Sequence, residues 1–197
     1  MENELVIATF NPHKIAEIRG ILPPLRLRLR ALSEFPGAVP AEEDGLTLEE
    51  NASKKALAAA RQTGLWALAD DTGLEVDALG GAPGVRSARF AGENAGADEN
   101  NALLLTRLSG VPPEKRTARF ACVVALASPA GELRLSRGTL EGRIALSASG
   151  ANGFGYDPLF EVGSGPGTLA GLAAAEKNAL SHRARALAGL APLLKNL

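Results

Sequence analysis

Apolar residues fall along this chain in short blocks whose internal spacing switches between the helical and the extended period. Leu5–Thr9 (LVIAT) has the length and continuity of a short buried strand. Asn11 and Pro12 then suit an N-cap and first helical position, and Ile15, Ile18 and Leu22 follow at helical spacing until Pro23 and Pro24 stop the helix. Leu25–Leu32 alternates Leu with Arg, the signature of a half-buried strand with its arginines on a solvated face. Ser33–Gly45 is loop-like and carries Glu42, Glu43 and Asp44. Thr47 and Glu50 fit a capping box for an Ala-rich helix that runs to about Gln62 and ends at Gly64. Leu65–Ala69 is a strand that delivers Asp70 and Asp71 at its end, with Thr72 and Gly73 beyond it.

A Gly/Pro-rich turn over Gly80–Gly84 leads to Arg86 and Arg89, and Asp98–Leu108 has the pattern of an amphipathic helix closed by Gly110. Thr117–Ser128 and Glu132–Gly138 pair as strands around Pro129–Ala130–Gly131, with a further strand over Leu140–Leu146. Gly150–Asp157 (GANGFGYD) is a Gly-rich loop holding two aromatics, and Leu169–Leu197 is helical in character. Strands and helices are intermixed, which gives an α/β class with a mixed sheet. Neither a repeat nor a low-complexity linker divides residues 1–197, so a single domain of two lobes at most is expected.

Composition narrows the function. Of 197 residues, 46% are hydrophobic and 22% charged, and 21 basic against 22 acidic residues leave a net charge of −1. Without a basic excess, broad nucleic-acid binding is disfavoured, while a small anionic ligand needs only a local cluster of cations. A lone cysteine, Cys122, excludes an internal disulfide framework and a Cys-rich metal site, and its apolar neighbours make it a core residue. The acidic start MENELVIATF lacks the basic region of a signal peptide, and no window holds 18 apolar residues. A soluble, cytoplasmic protein with no membrane partner is the expectation.

Four segments carry candidate chemistry. In Thr9-Phe10-Asn11-Pro12-His13-Lys14 a helix start offers its amides and dipole to an anion, and a lysine there is unfavourable unless something anionic meets it. The glycine spacing of a Walker loop is missing. The acids Glu42, Glu43, Asp44, Asp70 and Asp71 are hard oxygen donors of the kind Mg²⁺ takes one or two at a time. Adjacent residues of a strand point to opposite faces, so only one of Asp70 and Asp71 can face a given site. In Phe154-Gly155-Tyr156-Asp157 glycine permits close backbone approach and an aromatic can stack on a base. Lys177 and Arg183 would lie about 240° apart on one unbroken helix, but Ser181 is a good N-cap. A break after Asn178 would let Lys177, His182 and Arg183 converge. Each segment alone has an ordinary counterpart: a charged surface turn, a capped helix, a turn whose aromatics anchor the core, a solvent-facing basic helix start. Jointly they supply the parts of one nucleoside-triphosphate site.

Those segments resemble the inosine triphosphate pyrophosphatase family. The matching stretches are TFNPHK (Thr9–Lys14), EEDGLTLEENASKKA (Glu42–Ala56), ADDTGLEVDALGGAPGVRSARFAG (Ala69–Gly92), GFGYDPLF (Gly153–Phe160) and EKNALSHRARAL (Glu176–Leu187), in the family's order over almost the whole chain. The resemblance implies hydrolysis of ITP, dITP and XTP to the monophosphate and pyrophosphate with Mg²⁺, by a homodimer. The fold it implies is an elongated mixed sheet flanked by helices, in two lobes with the active-site cleft between them. Position by position, it makes Asp71 the general base and a metal acid, with Glu43, chosen over Glu42 on register, as the second. Thr9, Phe10, Asn11, Pro12, His13, Lys14 and Lys55 would serve the phosphates and Thr72 the substrate. Phe154, Gly155, Tyr156, Asp157, Lys177, His182 and Arg183 would hold the nucleoside. Thr72 stands where many relatives have Ser, and Gly171 where they often have an acid. A pyrophosphatase for other modified nucleotides and a non-catalytic nucleotide-binding protein are the alternatives.

Overall fold

The computed structural model describes residues 3–24, 26–163 and 167–197. In chain order its elements are β1 (Asn3–Ile7), α1 (Pro12–Ile21), β2 (Leu27–Ala31), α2 (Leu48–Thr63), β3 (Trp66–Val76), β4 (Pro83–Gly84), α3 (Ala97–Arg107), β5 (Thr117–Ala127), β6 (Leu133–Ile144), β7 (Phe160–Glu161), α4 (Ala174–Leu180) and α5 (His182–Leu194). Strands and helices mix as expected, and the sheet is mixed, with parallel and antiparallel pairs. No helix among the described residues is long and apolar enough to cross a membrane.

The described residues group into two compact units, neither of them a continuous stretch of chain. The first comprises residues 1–71, 122–138 and 182–197. Its strands lie in the order β2-β1-β3-β5-β6, with β1 parallel to both β2 and β3. Leu5, Ile7, Ile18, Leu68, Val124 and Leu190 are among the residues of its core, and Cys122 packs there too. β2 is an edge strand. Arg28 is exposed, while Arg30 reaches Glu4 at 3.3 Å and lies 4.0 Å from the centre of the Phe35 ring. A charged edge of this kind resists pairing with a further strand. Leu25, which the sequence pattern includes in that strand, lies outside the described residues.

The second unit comprises residues 72–121 and 139–181. β4 pairs antiparallel with β3, and β7 with β6. Its core includes Leu74, Val76, Leu104, Phe120, Ile144, Tyr156 and Phe160, with the Phe120 and Phe160 rings 4.6 Å apart.

Capping follows the sequence closely. Asn11 Oδ1 accepts from the amides of His13 and Lys14, and Gly64, at φ 69°, closes α2. The box at α2 is only half formed. Thr47 Oγ1 accepts from the Glu50 amide, but the Glu50 carboxylate takes the amide of Leu46, one residue ahead of the cap. α4 and α5 meet at Ser181, whose extended backbone breaks the helix after Leu180, two residues later than expected, and α5 starts at His182 as expected.

Two strands are longer than local pattern suggests. β3 does not end at Ala69: Leu74 and Val76 keep it buried on the far side of the acids, and β4 pairs with it there. Gly73 makes that approach possible, because a side chain would sit 2.6 Å from the Gly84 carbonyl oxygen. The acids do stand where β1 gives out, since the β1–β3 pairing stops at Ile7 and Leu68. Likewise β6 runs unbroken from Leu133 to Ile144, through a glycine that looked like a strand end. That glycine, Gly138, is where α5 lies directly on the strand. A Cβ there would come 2.3 Å from the His182 carbonyl oxygen and 2.4 Å from the Ala186 nitrogen, backbone atoms that cannot swing away. Gly138→Ala is therefore expected to cost about 1–3 kcal/mol of stability in urea unfolding; a variant as stable as the wild type would show that α5 is not held against β6.

Candidate active site

β3 places Asp70 and Asp71 on successive, oppositely directed positions, and the two carboxylates acquire different partners. Asp70 is 1% exposed. Its Oδ2 receives Arg183 Nη2 at 2.9 Å and Nε at 3.2 Å, and Lys14 Nζ lies 3.0 Å away. Arg183 stands at the start of α5 and also donates to Glu17 of α1. Asp71 turns to α2 instead, where Lys55 Nζ donates to it at 2.7 Å and Asn51 Nδ2 at 3.3 Å. Lys55 also lies 3.5 Å from Glu43. Asn51 and Lys55 share a helix face four residues apart, and both are buried.

These surroundings drive the two acids apart. Burial opposes ionisation of Asp70, yet Lys14, Arg183 and Lys55 outweigh it and hold the carboxyl far below the ordinary carboxylate value. Burial pushes Asp71 above its ordinary value, against the pull of Lys55 and Lys14, and Glu43 adds to the rise. Burial also works to lower the Lys55 ammonium, but Asp71, Asp70 and Glu43 keep it above the usual lysine value. A pair of acids separated in this way supplies one permanently charged group and one able to accept a proton.

The first unit gathers the phosphate-side candidates. A cleft of about 190 Å³ is lined by Thr9, Phe10, Asn11, Glu43 and Lys55, among others. Pro12 and His13 lie exposed at the start of α1. The amides of α1 are not open to a ligand as expected. Pro12 has none, those of His13 and Lys14 are taken by Asn11 Oδ1, and that of Ile15 by the Asn11 carbonyl. The anion that the sequence places opposite Lys14 is present in the chain itself, as Asp70. His182 and Arg183 are buried at the start of α5, in this same unit.

The second unit gathers the aromatic loop. Asp157 caps it by accepting from the Phe154 amide at 2.8 Å and pairs with Lys177, whose ammonium lies 4.7 Å from the centre of the Phe154 ring. Tyr156 belongs to the core: its hydroxyl donates to the Ser87 carbonyl at 2.8 Å, and burial pushes that hydroxyl above the ordinary tyrosine value. Phe154 is the half-buried aromatic of the loop. Gly155 accepts from Asn101 Nδ2 through its carbonyl at 3.0 Å, and Thr72 follows Asp71 along β3.

Two residues that sequence reasoning passed over hold this arrangement. Glu17 shares Arg183 with Asp70, and Asn51 bridges Asp71 to the loop before α2. The signal for Asn51 was its place one turn before Lys55. Among the described residues no group of three or more His, Cys, Asp or Glu side chains could hold a metal. Glu43 and Asp71 do converge on one point, the Lys55 ammonium, and two hard carboxylates there fit a small divalent cation that keeps its other positions for water and phosphate.

The Ham1 family model matches residues 5–193. A dITP/XTP pyrophosphatase of Desulforamulus reducens is 51% identical over 194 residues, 98% of this chain and 96% of that protein. One of Geobacter sulfurreducens is 55% identical over 184 residues, 93% of this chain and 92% of that protein. Among solved structures, a HAM1 protein from Coxiella burnetii has a TM-score of 0.87 at 44% identity, covering 99% of this chain and 100% of that one. The Staphylococcus aureus Ham1 protein has a TM-score of 0.86 at 40% identity, covering 98% and 99%.

The division between the acids has a stability consequence. Replacing Asp70 by Asn leaves the buried Arg183 and the partly buried Lys14 without their shared anion, which should cost about 3–5 kcal/mol in urea unfolding at pH 7. The native value of Asp70 lies below its unfolded value, so its contribution is complete above about pH 4 and is lost as pH falls further. The gap between wild type and Asp70→Asn should therefore narrow in acid. A gap independent of pH would contradict the assignment.

Proposed function

The chain belongs to the Ham1 family, and from that premise we propose that it hydrolyses non-standard purine nucleoside triphosphates, ITP, dITP and XTP, to the monophosphate and pyrophosphate. It is a nucleoside-triphosphate diphosphatase that removes such nucleotides from the pool. The observation that supports this reading most directly is the split of Asp70 from Asp71, one locked into an ion-pair cluster and the other raised beside Lys55 and Glu43.

In the proposed mechanism a water attacks the α-phosphorus in line and pyrophosphate leaves. Asp71 orients the water and takes its proton, a role suited to a carboxylate raised above its ordinary value. Glu43 and Asp71 would hold Mg²⁺, which supplies charge neutralisation of the triphosphate. Lys55 and Lys14 stabilise charge on the leaving pyrophosphate, and both are already held in place by carboxylates, so little reorganisation is needed. Thr9, Phe10, Asn11, Pro12 and His13 complete the phosphate side, and Thr72 contacts the substrate.

On the nucleoside side, Phe154 stacks, Gly155 and Asp157 belong to the loop that carries it, and Lys177 of α4 pairs with Asp157 beside the ring. Tyr156 serves by anchoring that loop in the core. Arg183 has its guanidinium turned to Asp70 and Glu17, so the donor to a 6-oxo purine comes from His182 or neighbouring backbone. A 6-amino group would leave that donor buried and unpaired, at about 1–3 kcal/mol. A homodimer working in the cytoplasm, where the soluble nucleotide pool lies, completes the proposal.

Pyrophosphate release from dITP, dATP and dGTP with Mg²⁺ tests it. Turnover of dITP should exceed that of dATP by at least about 10-fold, matching one unpaired donor. Asp71→Asn should lose about 100-fold or more in kcat while remaining folded. Equal rates on the three nucleotides would overturn the substrate assignment, and an active Asp71→Asn would overturn the role of Asp71.

A further inference from the structure

Glu43 sits on a stretch with no regular structure, and its side chain is half exposed, whereas Asp71 is fixed within β3. Something must set the distance between them if they are to share an ion. The structure ties the Glu43 loop to the first turn of α2 by two contacts: Gly45 N–H donates to Asn51 Oδ1 at 2.8 Å, and Leu46 N–H donates to Glu50 Oε2 at 2.7 Å. Asn51 is 1% exposed, and the other end of the same amide, Nδ2, donates to Asp71 Oδ2 at 3.3 Å. One buried side chain thus touches both the backbone two residues beyond Glu43 and the carboxylate of Asp71.

We propose that Asn51 is a positioning residue that holds the Glu43 loop and Asp71 in register for a shared divalent cation. The proposal rests on the reading of Glu43 and Asp71 as the metal acids. Lys55 also draws the two acids together, but by charge, so it competes with any cation that enters between them. A neutral amide keeps the spacing whether or not Lys55 stays. The contact at Gly45 is close enough to restrict that position. A Cβ there would lie 2.5 Å from Asn51 Oδ1 and 2.9 Å from Glu50 Cβ, so any side chain pushes the loop off its strut. Gly45 and Asn51 are two ends of one device, each replaceable while both acids stay in the sequence.

The test is direct binding of Mn²⁺, without nucleotide, followed by the electron paramagnetic resonance signal of the free ion, on the full chain. Asn51→Ala and Gly45→Ala should each weaken Mn²⁺ binding by about 10–100-fold, the range typical for groups that orient metal ligands. The Mg²⁺ concentration for half-maximal turnover should rise in parallel. A purely structural role would lower the unfolding midpoint and leave metal affinity unchanged, which overturns the proposal. Should Asn51→Ala not fold, Gly45→Ala tests the same strut from the loop end with Asn51 intact. Glu43→Gln and Asp71→Asn separate the two levels of argument. If neither weakens Mn²⁺ binding, the metal-acid reading itself fails. If both do while Asn51→Ala and Gly45→Ala bind like the wild type, the strut alone is overturned.

Discussion

The buried pairing of Asp70 with Lys14 and Arg183 is the constraint on which the rest of the first unit depends. A carboxylate 1% exposed in the middle of a strand is tolerable only if the charge removed from water is met by charge in fixed geometry. The partners come from the start of α1 and the start of α5, so Asp70 ties the first turns of both helices to β3. Gly138 then lets α5 lie close enough on β6 to bring Arg183 there. Glu17 balances the second cation, and the four side chains, two acids and two bases, sum to zero charge.

The neighbouring cluster does not balance. Asp71 and Glu43 contribute two negative charges and Lys55 one positive, in a part of the fold where two of the three are buried. A residual negative charge among hard oxygen donors favours a further cation, and its surroundings raise Asp71 while those of Asp70 depress it. One face of β3 is thus spent on holding the fold and the other is left chemically unfinished. Strand alternation sends two adjacent aspartates to different partners, and those partners produce the difference.

What was legible in the sequence was local. Asn11, Thr47 and Gly64 announce their helix ends because capping depends on residues within one turn, and α2 and α3 appear close to their observed ranges. The misjudged features depend on remote partners. β3 continues past Asp71 because β4 pairs with it, and β6 ignores Gly138 because α5 needs the space. Tyr156 in a Gly-rich loop resembles a ligand platform, yet its hydroxyl finds a carbonyl 69 residues away and its ring joins the core. Arg183 and Asp70 are 113 residues apart, beyond any periodicity. Lys14, Lys55, Lys177 and Arg183 are the cations that a phosphate or base would need. Each also has a carboxylate partner in the folded chain, because a cation taken largely out of water must be neutralised before any substrate arrives.

That compensation bears on how such a site can work. Cations left uncompensated in a buried site would pay a desolvation cost in the free protein and repel one another, and their placement would await the ligand. Held by carboxylates they are placed in advance, and an incoming anion needs to redistribute charge rather than create order. The cost is that the ligand's charge competes with an internal one, so the balance of each pair matters more than the count of cations. Asp70 is held by two partners and has little to release, whereas Lys55 is shared between Asp71 and an acid on a loop. The loosest of these contacts, the 3.5 Å one to Glu43, is where a second cation would meet the least resistance.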